Sequence, residues 1–480
     1  MAAHPASRAS SRLIALIVAS AMFMAGLDAS VVVVAMPAMA HSFAVRPVDL
    51  NVGITIYILA QAVLLPCSSW VADRFGARRV FVLALAGFTL ASVLCGLSRT
   101  LPQFIVARVL QGAAASLMTP IARLVLLKST EKEDLIGVIT ISTVPMLVAP
   151  TLGPPVGGFI TTYLSWPWIF LLNVPVGIAG VALVLRFIPA MPGETRRPFD
   201  AVGFALLGAA SGGILFGLEL MSASSGPWIA GAVLSLAGLG FGWIAIRHLT
   251  RHPHPVLSLR AARIQTFAAT SLNGGVLVRL PVRALPFILP LLFEEVLGYS
   301  PVFSGLLLLA MNGGDLVLKT AVTRAMRRFG FRSVLIASAA GLLVTVVGCA
   351  TFSAATPYWA IFALLAAGGM ARSLLFSGMG TLAFADVPHE ELGSATVLWN
   401  LVIQVTNALG VSLAAILMNL SSWSVGEPMG HVTLRNCQVA LIAMALIGSF
   451  SLIPFWRLPR HAGALVSGHR PQGLARQNEG

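Results

Sequence analysis

Fourteen apolar stretches, each long enough to cross a lipid bilayer, dominate this 480-residue sequence. A membrane-spanning helix needs about 20 mostly apolar residues to cross roughly 30 Å of hydrocarbon. The stretches occupy residues 13–37, 50–71, 80–98, 102–127, 135–162, 167–189, 201–221, 227–247, 265–292, 302–322, 334–353, 357–384, 394–419 and 436–456. Because backbone groups in lipid must be hydrogen-bonded within the protein, these stretches predict an all-α membrane protein with fourteen transmembrane helices.

The scarcity of charge excludes a soluble globular protein. Only 10% of the residues are charged, whereas a soluble domain carries about 25%. The first stretch is longer than the roughly 7–15 residues of a signal-peptide core and contains Asp28, so we interpret it as the first span. The four cysteines lie far apart without zinc-binding spacing, and the sequence therefore predicts no metal site and no cofactor.

The distribution of basic residues predicts the orientation of the chain. With the amino terminus in the cytoplasm, 22 of the 31 Lys and Arg residues fall in cytoplasmic connections and tails, and three fall on the opposite side. Enrichment of Lys and Arg in cytoplasmic loops is the rule for multi-pass proteins. We therefore expect both termini in the cytoplasm, and we interpret the net charge of +14 as a topology signal, with no nucleic-acid partner.

A short repeat divides the chain into two halves. The sequence RFGAR at 74–78 recurs as RFGFR at 328–332, after the second and the tenth stretch. Duplicated six-helix halves are typical of secondary transporters. The predicted layout is a tail (1–12), a six-helix bundle (13–190), a linker with a two-helix insertion (191–263), a second six-helix bundle (264–457) and a second tail (458–480).

Five motifs follow one another along the chain. They are LDASVVVVAMP at 27–37, ADRFGARR at 72–79, RVLQG at 108–112, PTLGPPVGG at 150–158 and WPWIFLLNVP at 166–175. In this order and spacing they resemble the motifs of the major facilitator superfamily, specifically its fourteen-span drug:proton antiporter branch. Ser69, Ala77, Ala149 and Pro167 depart from the family pattern.

The resemblance implies a fold, an activity and a location. The implied fold is the major facilitator fold, with two six-helix bundles and a two-helix insertion. The implied activity is exchange of small molecules for protons without a catalytic residue, and the implied location is a bacterial inner membrane. We expect the chain to act as a monomer.

Asp28 and Arg108 carry the proton-coupling hypothesis. A charge inside the membrane is costly and indicates function by default. At 1.5 Å per residue, Asp28 lies about 13 Å and Arg108 about 9 Å below the outer ends of their spans, so we expect them at similar depth. Proton binding at Asp28, tuned by Arg108, would couple transport to the proton gradient. The alternative is a permanent ion pair that does not titrate.

The two loop motifs form a predicted gate. Its residues are Asp73, Arg74, Gly76, Arg78, Arg328, Gly330 and Arg332. An acid such as Asp73 can pair with basic residues or interact with the positive end of a neighbouring helix, which would stabilise the outward-facing state. The alternative is a loop whose charges only set orientation. Arg327 stands in the second copy where the first has its acid.

The fifth span is predicted to be thin and bent. Its hinge residues are Pro150, Gly153, Pro154, Gly157 and Gly158. Small residues allow close helix approach, and prolines disturb straightness. We expect this span to pack against a helix of the other half and to hinge there, with a merely well-packed helix as the alternative.

Several polar groups inside spans define a candidate substrate cavity. They are Gln111, Arg279, Arg283, Arg372, Trp399, Asn400 and Gln404. Arg279 and Arg283 are four residues apart and share one helix face. Cations facing one cavity would favour an anionic or zwitterionic substrate, unless they pair with Asp315, Glu219 or carbonyl oxygens. Lys319 and Arg123 lie near span ends, where we expect their charges to reach the interface.

We therefore predict a secondary active exporter whose two bundles rock about a central cavity. Its partners are a small-molecule substrate, protons and the lipid bilayer. One alternative is an exporter of a small anionic metabolite, such as a carboxylate or metal chelate. Another is a membrane enzyme or sensor, for which the sequence offers neither a catalytic constellation nor an output domain.

Overall fold

The computed structural model describes residues 8–45, 50–131, 134–193, 198–222, 227–426 and 432–467. Predictions for residues 1–7, 194–197 and 468–480 lie outside these ranges. Every described secondary-structure element is helical. The long helices are α1 (Arg8–Phe43), α2 (Val52–Phe75), α3 (Ala77–Leu97), α4 (Leu101–Lys128), α5 (Leu135–Tyr163), α6 (Trp168–Phe187), α7 (Ala201–Ser222), α8 (Trp228–Arg251), α9 (Gln265–Val296), α10 (Pro301–Lys319), α11 (Val322–Cys349), α12 (Tyr358–Ala385), α13 (Leu392–Ser424) and α14 (Leu434–Trp456).

Twelve helices in the described part of the chain are long and apolar enough to cross a membrane. The other two, α5 and α10, contain 29 and 19 residues and lie at the fifth and tenth predicted stretches. The all-helical membrane fold is therefore confirmed, while the count of fourteen spans stays a prediction.

Helix packing repeats between α1–α6 and α9–α14. In the first set α1 packs on α5 and α6, α2 and α3 pack on α4, and α3 packs on α6. The same pairs recur eight helices later, as α9 with α13 and α14, α10 and α11 with α12, and α11 with α14. The contacts that join the two sets repeat as well, since α2 and α4 touch α13 while α10 and α12 touch α5. This packing is the structural counterpart of the sequence repeat.

The helices α7 and α8 form a hairpin beside the two six-helix sets. They pack mainly on each other, and α7 also contacts α2 and α13. Large apolar side chains of α8 such as Leu236 and Trp243 are exposed, as expected of a helix that faces lipid on most sides.

The two sets share buried hydrophobic clusters at the end where the described chain begins and ends. The large cluster joins Ile14 and Leu124 of the first set to Phe331 and Leu382 of the second, and a small one joins Leu65 of α2 to Val397 and Leu401 of α13. At the opposite end each set has its own separate core. The bundle is therefore sealed at the end where the described chain begins and ends.

Residues 458–467, predicted to begin a tail, pack against the sealed end. Leu458, Ala462 and Val466 are buried in the shared core, and the short helix α15 (Ala464–Ser467) lies among them. Leu458 and Ala462 lie outside helices and Val466 lies in α15, and all three side chains contact the bundle.

Candidate transport site

Asp28 lies at the centre of a buried polar network built by five helices. Its Oδ2 accepts a hydrogen bond from Arg108 Nη1 at 2.9 Å. Its Oδ1 accepts bonds from Gln111 Nε2 and Asn173 Nδ2, each at 2.9 Å. Ser92 Oγ accepts from the same two amides at 2.9 and 3.2 Å. With Asp28 only 2% exposed, the carboxylate has exchanged its water for protein donors.

Arg108 is held by α2 as well as by the acid. Its Nε donates to the carbonyl oxygen of Gly53 at 3.1 Å, its Nη1 donates to Gln111 Oε1 at 2.5 Å, and its guanidinium lies 4.3 Å from the centre of the Tyr57 ring. An aromatic face attracts a cation most strongly where water is excluded. The expectation that Asp28 and Arg108 lie at similar depth is confirmed.

Each half of the ion pair therefore depends on the other. A buried pair gains from Coulomb attraction only when hydrogen bonds satisfy its remaining groups, and here three donors reach Asp28. A change in the charge of Asp28 would alter contacts to α4 and α6 together. The network therefore links the charge of one buried carboxylate to side chains of α4 and α6.

Ser92, Asn173 and Tyr57 belong to this network and are absent from the predicted site. Asn173 lies in the WPWIFLLNVP motif, and that motif was the sequence feature from which Asn173 could have been predicted as a site residue. Gln111, predicted to line the substrate cavity, is fully buried in the Asp28 network instead.

Asp73 lies against the other six-helix set. A Cβ atom built on Gly393, in the first turn of α13, would be 3.6 Å from Asp73 Oδ1. A carboxylate beside the first turn of a helix is stabilised by the unpaired N–H groups there. Gly76, just after Asp73, has φ +89°, and a side chain there would collide with the carbonyl oxygen of Met191. The loop geometry thus places the acid between the two sets.

The other predicted gate residues are less engaged with the opposite set. Arg78 donates to the carbonyl oxygen of Leu185 in its own set, while Arg74 and Arg328 are exposed. Arg332 lies 5.8 Å from the centre of the Trp456 ring. Gly330 has φ +74°, which is similar to the φ of Gly76. The second loop therefore has the backbone turn of the first, although Arg327 replaces the acid Asp73.

The small face of α5 packs on α1, within its own set. A side chain at Gly153 would collide with Ser30 Oγ, and a Cβ at Gly157 would lie 3.2 Å from Val31 Cγ1. The span does touch α10 and α12 of the other set, as expected, but the close partner of Gly153 and Gly157 is α1, and hinging at these residues stays a prediction. Gly158 has no neighbour within 4 Å of a built Cβ. The side chains of Pro150 and Pro154 lie outside the described residues.

Arg279 and Arg123 flank Trp399, and Arg283 lies one helical turn after Arg279. The guanidinium groups of Arg279 and Arg123 lie 4.6 and 5.2 Å from the centre of the Trp399 ring. Arg279 contacts the carbonyl oxygens of Thr270 and Ser271 only at 3.5 and 3.4 Å. Within the described part of the chain, none of the three arginines forms an ion pair with an acid, so three cations face one another here.

Arg283 and two residues of α13 carry buried polar atoms without a partner among the described residues. The side-chain atoms Arg283 Nε, Trp399 Nε1 and Gln404 Oε1 are buried without a hydrogen-bond partner among the described residues. A buried polar atom without a partner costs about 1–3 kcal/mol. Asn400 is satisfied within its own helix, through a 2.8 Å bond to the carbonyl oxygen of Thr396. The cluster has unused donors and acceptors that a ligand would satisfy.

Arg372 is paired, as the alternative interpretation anticipated. Its Nε donates to Asp315 Oδ2 at 3.0 Å, and its Nη2 donates to Asn312 Oδ1 at 2.9 Å. Lys319 Nζ lies 3.5 Å from Asp315 Oδ1 and donates to Ser377 Oγ at 3.1 Å. The prediction that Lys319 reaches the interface is wrong, because the residue is 5% exposed and turns toward the acid one helical turn before it.

The sequence comparisons agree with this architecture. The profile of the Major Facilitator Superfamily matches residues 18–262 and 271–474. The MdtD protein of Citrobacter koseri, which carries a multidrug-resistance name, is 33% identical over 453 residues, covering 94% of this chain and 96% of its own. The corresponding protein of Cronobacter sakazakii is 37% identical over 408 residues, covering 84% and 85%.

Solved structures share the fold at low sequence identity. The human organic anion transporter MFSD10 has a TM-score of 0.66 at 13% identity, covering 93% of this chain and 99% of its own. The proton:xylose symporter XylE bound to 6-bromo-6-deoxy-D-glucose has a TM-score of 0.62 at 14% identity, covering 95% and 97%. A repeated helical bundle with a buried ion pair defines a multi-pass membrane transporter. The chain belongs to the major facilitator superfamily.

Proposed function

We propose that this protein exports small, drug-like molecules across a bacterial inner membrane in exchange for protons. The proposal includes fourteen spans, cytoplasmic termini and action as a monomer. The observation that carries it is the buried Asp28–Arg108 pair, whose 2.9 Å bond lies in a network that spans five helices. The multidrug-resistance names of relatives at 33–37% identity support a drug-like substrate.

The coupling step is proton binding at Asp28. Protonation would remove the counter-charge of Arg108 and one acceptor position for the amides of Gln111 and Asn173. Because these donors sit on α4 and α6, the network would rearrange by moving α1 relative to both helices. A proton drives the cycle only if the two end states bind it with different free energies, and the proposal assigns that difference to the burial of Asp28 in one state.

The sealed end is the second element of the mechanism. With cytoplasmic termini, a shared core at the termini and separate cores at the far end correspond to an outward-facing arrangement. Asp73, near the first turn of α13, would help to hold this state closed and release it when the bundles rock.

The proposal is tested in everted membrane vesicles. A fluorescent cationic dye is added to the medium outside them. An imposed pH gradient should drive uphill dye uptake, and an ionophore that collapses the gradient should stop it. Uphill uptake that continues without a pH gradient, or that needs ATP or Na⁺, would overturn the proton-coupled proposal.

A second candidate function is export of a small anionic metabolite. The observation that favours it is the group of Arg123, Arg279 and Arg283, none of which is in an ion pair with a described acid. In the membrane interior such charges need a counter-ion, and a carboxylate or metal chelate would provide one. Cationic dye transport that survives Arg279→Ala and Arg283→Ala would eliminate this candidate.

A further inference from the structure

Asp200, His248 and His252 meet where α7 begins and α8 ends. One potential ligand atom from each residue lies within 4.8 Å of the other two. Asp200 is 4% exposed, and the side chain of His248 is 23% exposed. The cluster belongs to the hairpin of α7 and α8 and shares no residue with the Asp28 network or the arginine cluster.

The carboxylate of Asp200 is oriented by the backbone around it. Its Oδ1 accepts from the N–H of Gly203 at 2.8 Å, and its Oδ2 accepts from the N–H of Val256 at 3.2 Å. Burial alone would raise the pKa of Asp200, but the bonds from Gly203, His248 and Val256 together hold that pKa below its ordinary value. Such supporting hydrogen bonds are what fix a carboxylate in metal sites.

His248 lies in the last turn of α8, and His252 is the residue that caps its C-terminus. They are four residues apart, and their ring centres are 5.0 Å apart at an interplanar angle of 29°. His248 Nε2 lies 2.9 Å from Asp200 Oδ1. His252 Nδ1 accepts from the N–H of His254 at 3.2 Å. Two histidines at this helical spacing are a recurrent zinc-binding pair.

We propose that Asp200, His248 and His252 bind a divalent transition-metal ion such as Zn²⁺, which joins the start of α7 to the end of α8. Two imidazoles and one carboxylate suit zinc, nickel or copper better than magnesium or calcium. Zinc–ligand bonds are about 2.0–2.2 Å, so the His248 and Asp200 atoms would separate slightly while His252 moves in. Water would complete the coordination sphere.

Two nearby arginines set the expected strength of the site. Arg247 and Arg251 lie on the same last turns of α8, and the Arg247 guanidinium is 4.7 Å from the centre of the Trp243 ring. Positive charge nearby weakens cation binding, although exposed charges are partly screened. Arg251→Gln should therefore tighten zinc binding about twofold.

The test uses the full-length protein, purified in detergent with an affinity tag that contains no histidine. Zn²⁺ is added at neutral pH, and bound zinc per chain is measured by equilibrium dialysis with elemental analysis. The matched control is His389→Ala with His461→Ala, which removes two histidines outside the cluster. We expect this control to bind as much zinc as the unmodified protein. The double variant His248→Gln with His252→Gln should bind one equivalent of zinc less.

Two further variants separate metal binding from folding. His248→Gln keeps a hydrogen-bond donor near Asp200, so the variant should elute as the folded protein while losing the rise in unfolding temperature that Zn²⁺ gives the unmodified chain. Asp200→Asn should weaken binding at least about tenfold. Equal zinc content in the cluster variant and the control, or no zinc above buffer in the unmodified protein, would overturn the proposal whether or not dye transport occurs.

Discussion

Replacing Asp28 by Asn is the most informative single change, because the structure allows its cost to be worked out. The carboxylate accepts 2.9 Å bonds from Arg108, Gln111 and Asn173. Asparagine has one oxygen and would turn an NH₂ group toward donors. It also leaves Arg108, 1% exposed, without its counter-charge. Removing one partner of a buried ion pair costs about 3–5 kcal/mol, so Asp28→Asn should destabilise the protein by about that much.

A double variant separates this structural cost from the loss of coupling. Asp28→Asn with Arg108→Gln removes both charges and leaves neutral groups that can bond to each other. The single change is costly because it leaves an uncompensated buried charge, and the double variant leaves none, so part of the lost stability should return. Proton-driven transport should not return, because no titratable group remains at this position.

The assay compares two modes of transport in the same reconstituted vesicles. Asp28→Asn and the double variant should both lose uphill transport driven by a pH gradient, while exchange of labelled for unlabelled substrate continues. Unfolding temperature in detergent reports the stability. Uphill transport by Asp28→Asn at the unmodified rate and with an unchanged pH profile, or its restoration in the double variant, would refute the assignment of Asp28.

Two other predictions concern the gate and the hinge. Asp73→Asn should weaken the contact with the start of α13 by about 0.3–1 kcal/mol and so change the exchange rate about twofold to fivefold; equal maximal rates with an altered substrate affinity would contradict a gating role. Gly153→Ala should destabilise the protein by about 1–3 kcal/mol through collision with Ser30. Gly158→Ala, with free space around the new methyl group, should be neutral or gain up to about 1 kcal/mol of helix propensity. Equal unfolding temperatures for the two glycine variants would show that the close contact is unimportant.

Apolar length predicted where the helices lie better than where they end. The first stretch, 13–37, lies inside a helix that runs from Arg8 to Phe43, and the thirteenth, 394–419, lies inside Leu392–Ser424. Counting apolar residues detects the part of a helix that lies in the hydrocarbon core of the bilayer. A helix continues into the interface as long as its backbone bonds are made, and nothing in the apolar count reports that.

Depth along a helix was predictable for the ion pair, whereas the choice of partners was not. The 1.5 Å rise placed Asp28 and Arg108 in one layer, and they bond at 2.9 Å. Lys319 was misplaced because the acid four residues before it, Asp315, was weighed only as a partner for arginines. Tertiary contacts such as Gly153 on Ser30 depend on which helices become neighbours, and one sequence does not specify that.

The zinc-binding candidates illustrate a third limit. A search for closely spaced Cys and His residues misses a site whose acid lies 48 residues before its first histidine. His248 and His252 at helical spacing were visible in the sequence, but only the packing of α7 on α8 brings Asp200 to them.

The hairpin of α7 and α8 makes the two sides of the molecule unequal. Repeat symmetry gives the bundles two equivalent seams, one between α2 and α13 and one between α5 and α10. The principal contacts of α7 lie on the first seam only. The hairpin therefore shields the first seam from the surrounding bilayer and leaves the seam between α5 and α10 without such a cover among its principal contacts.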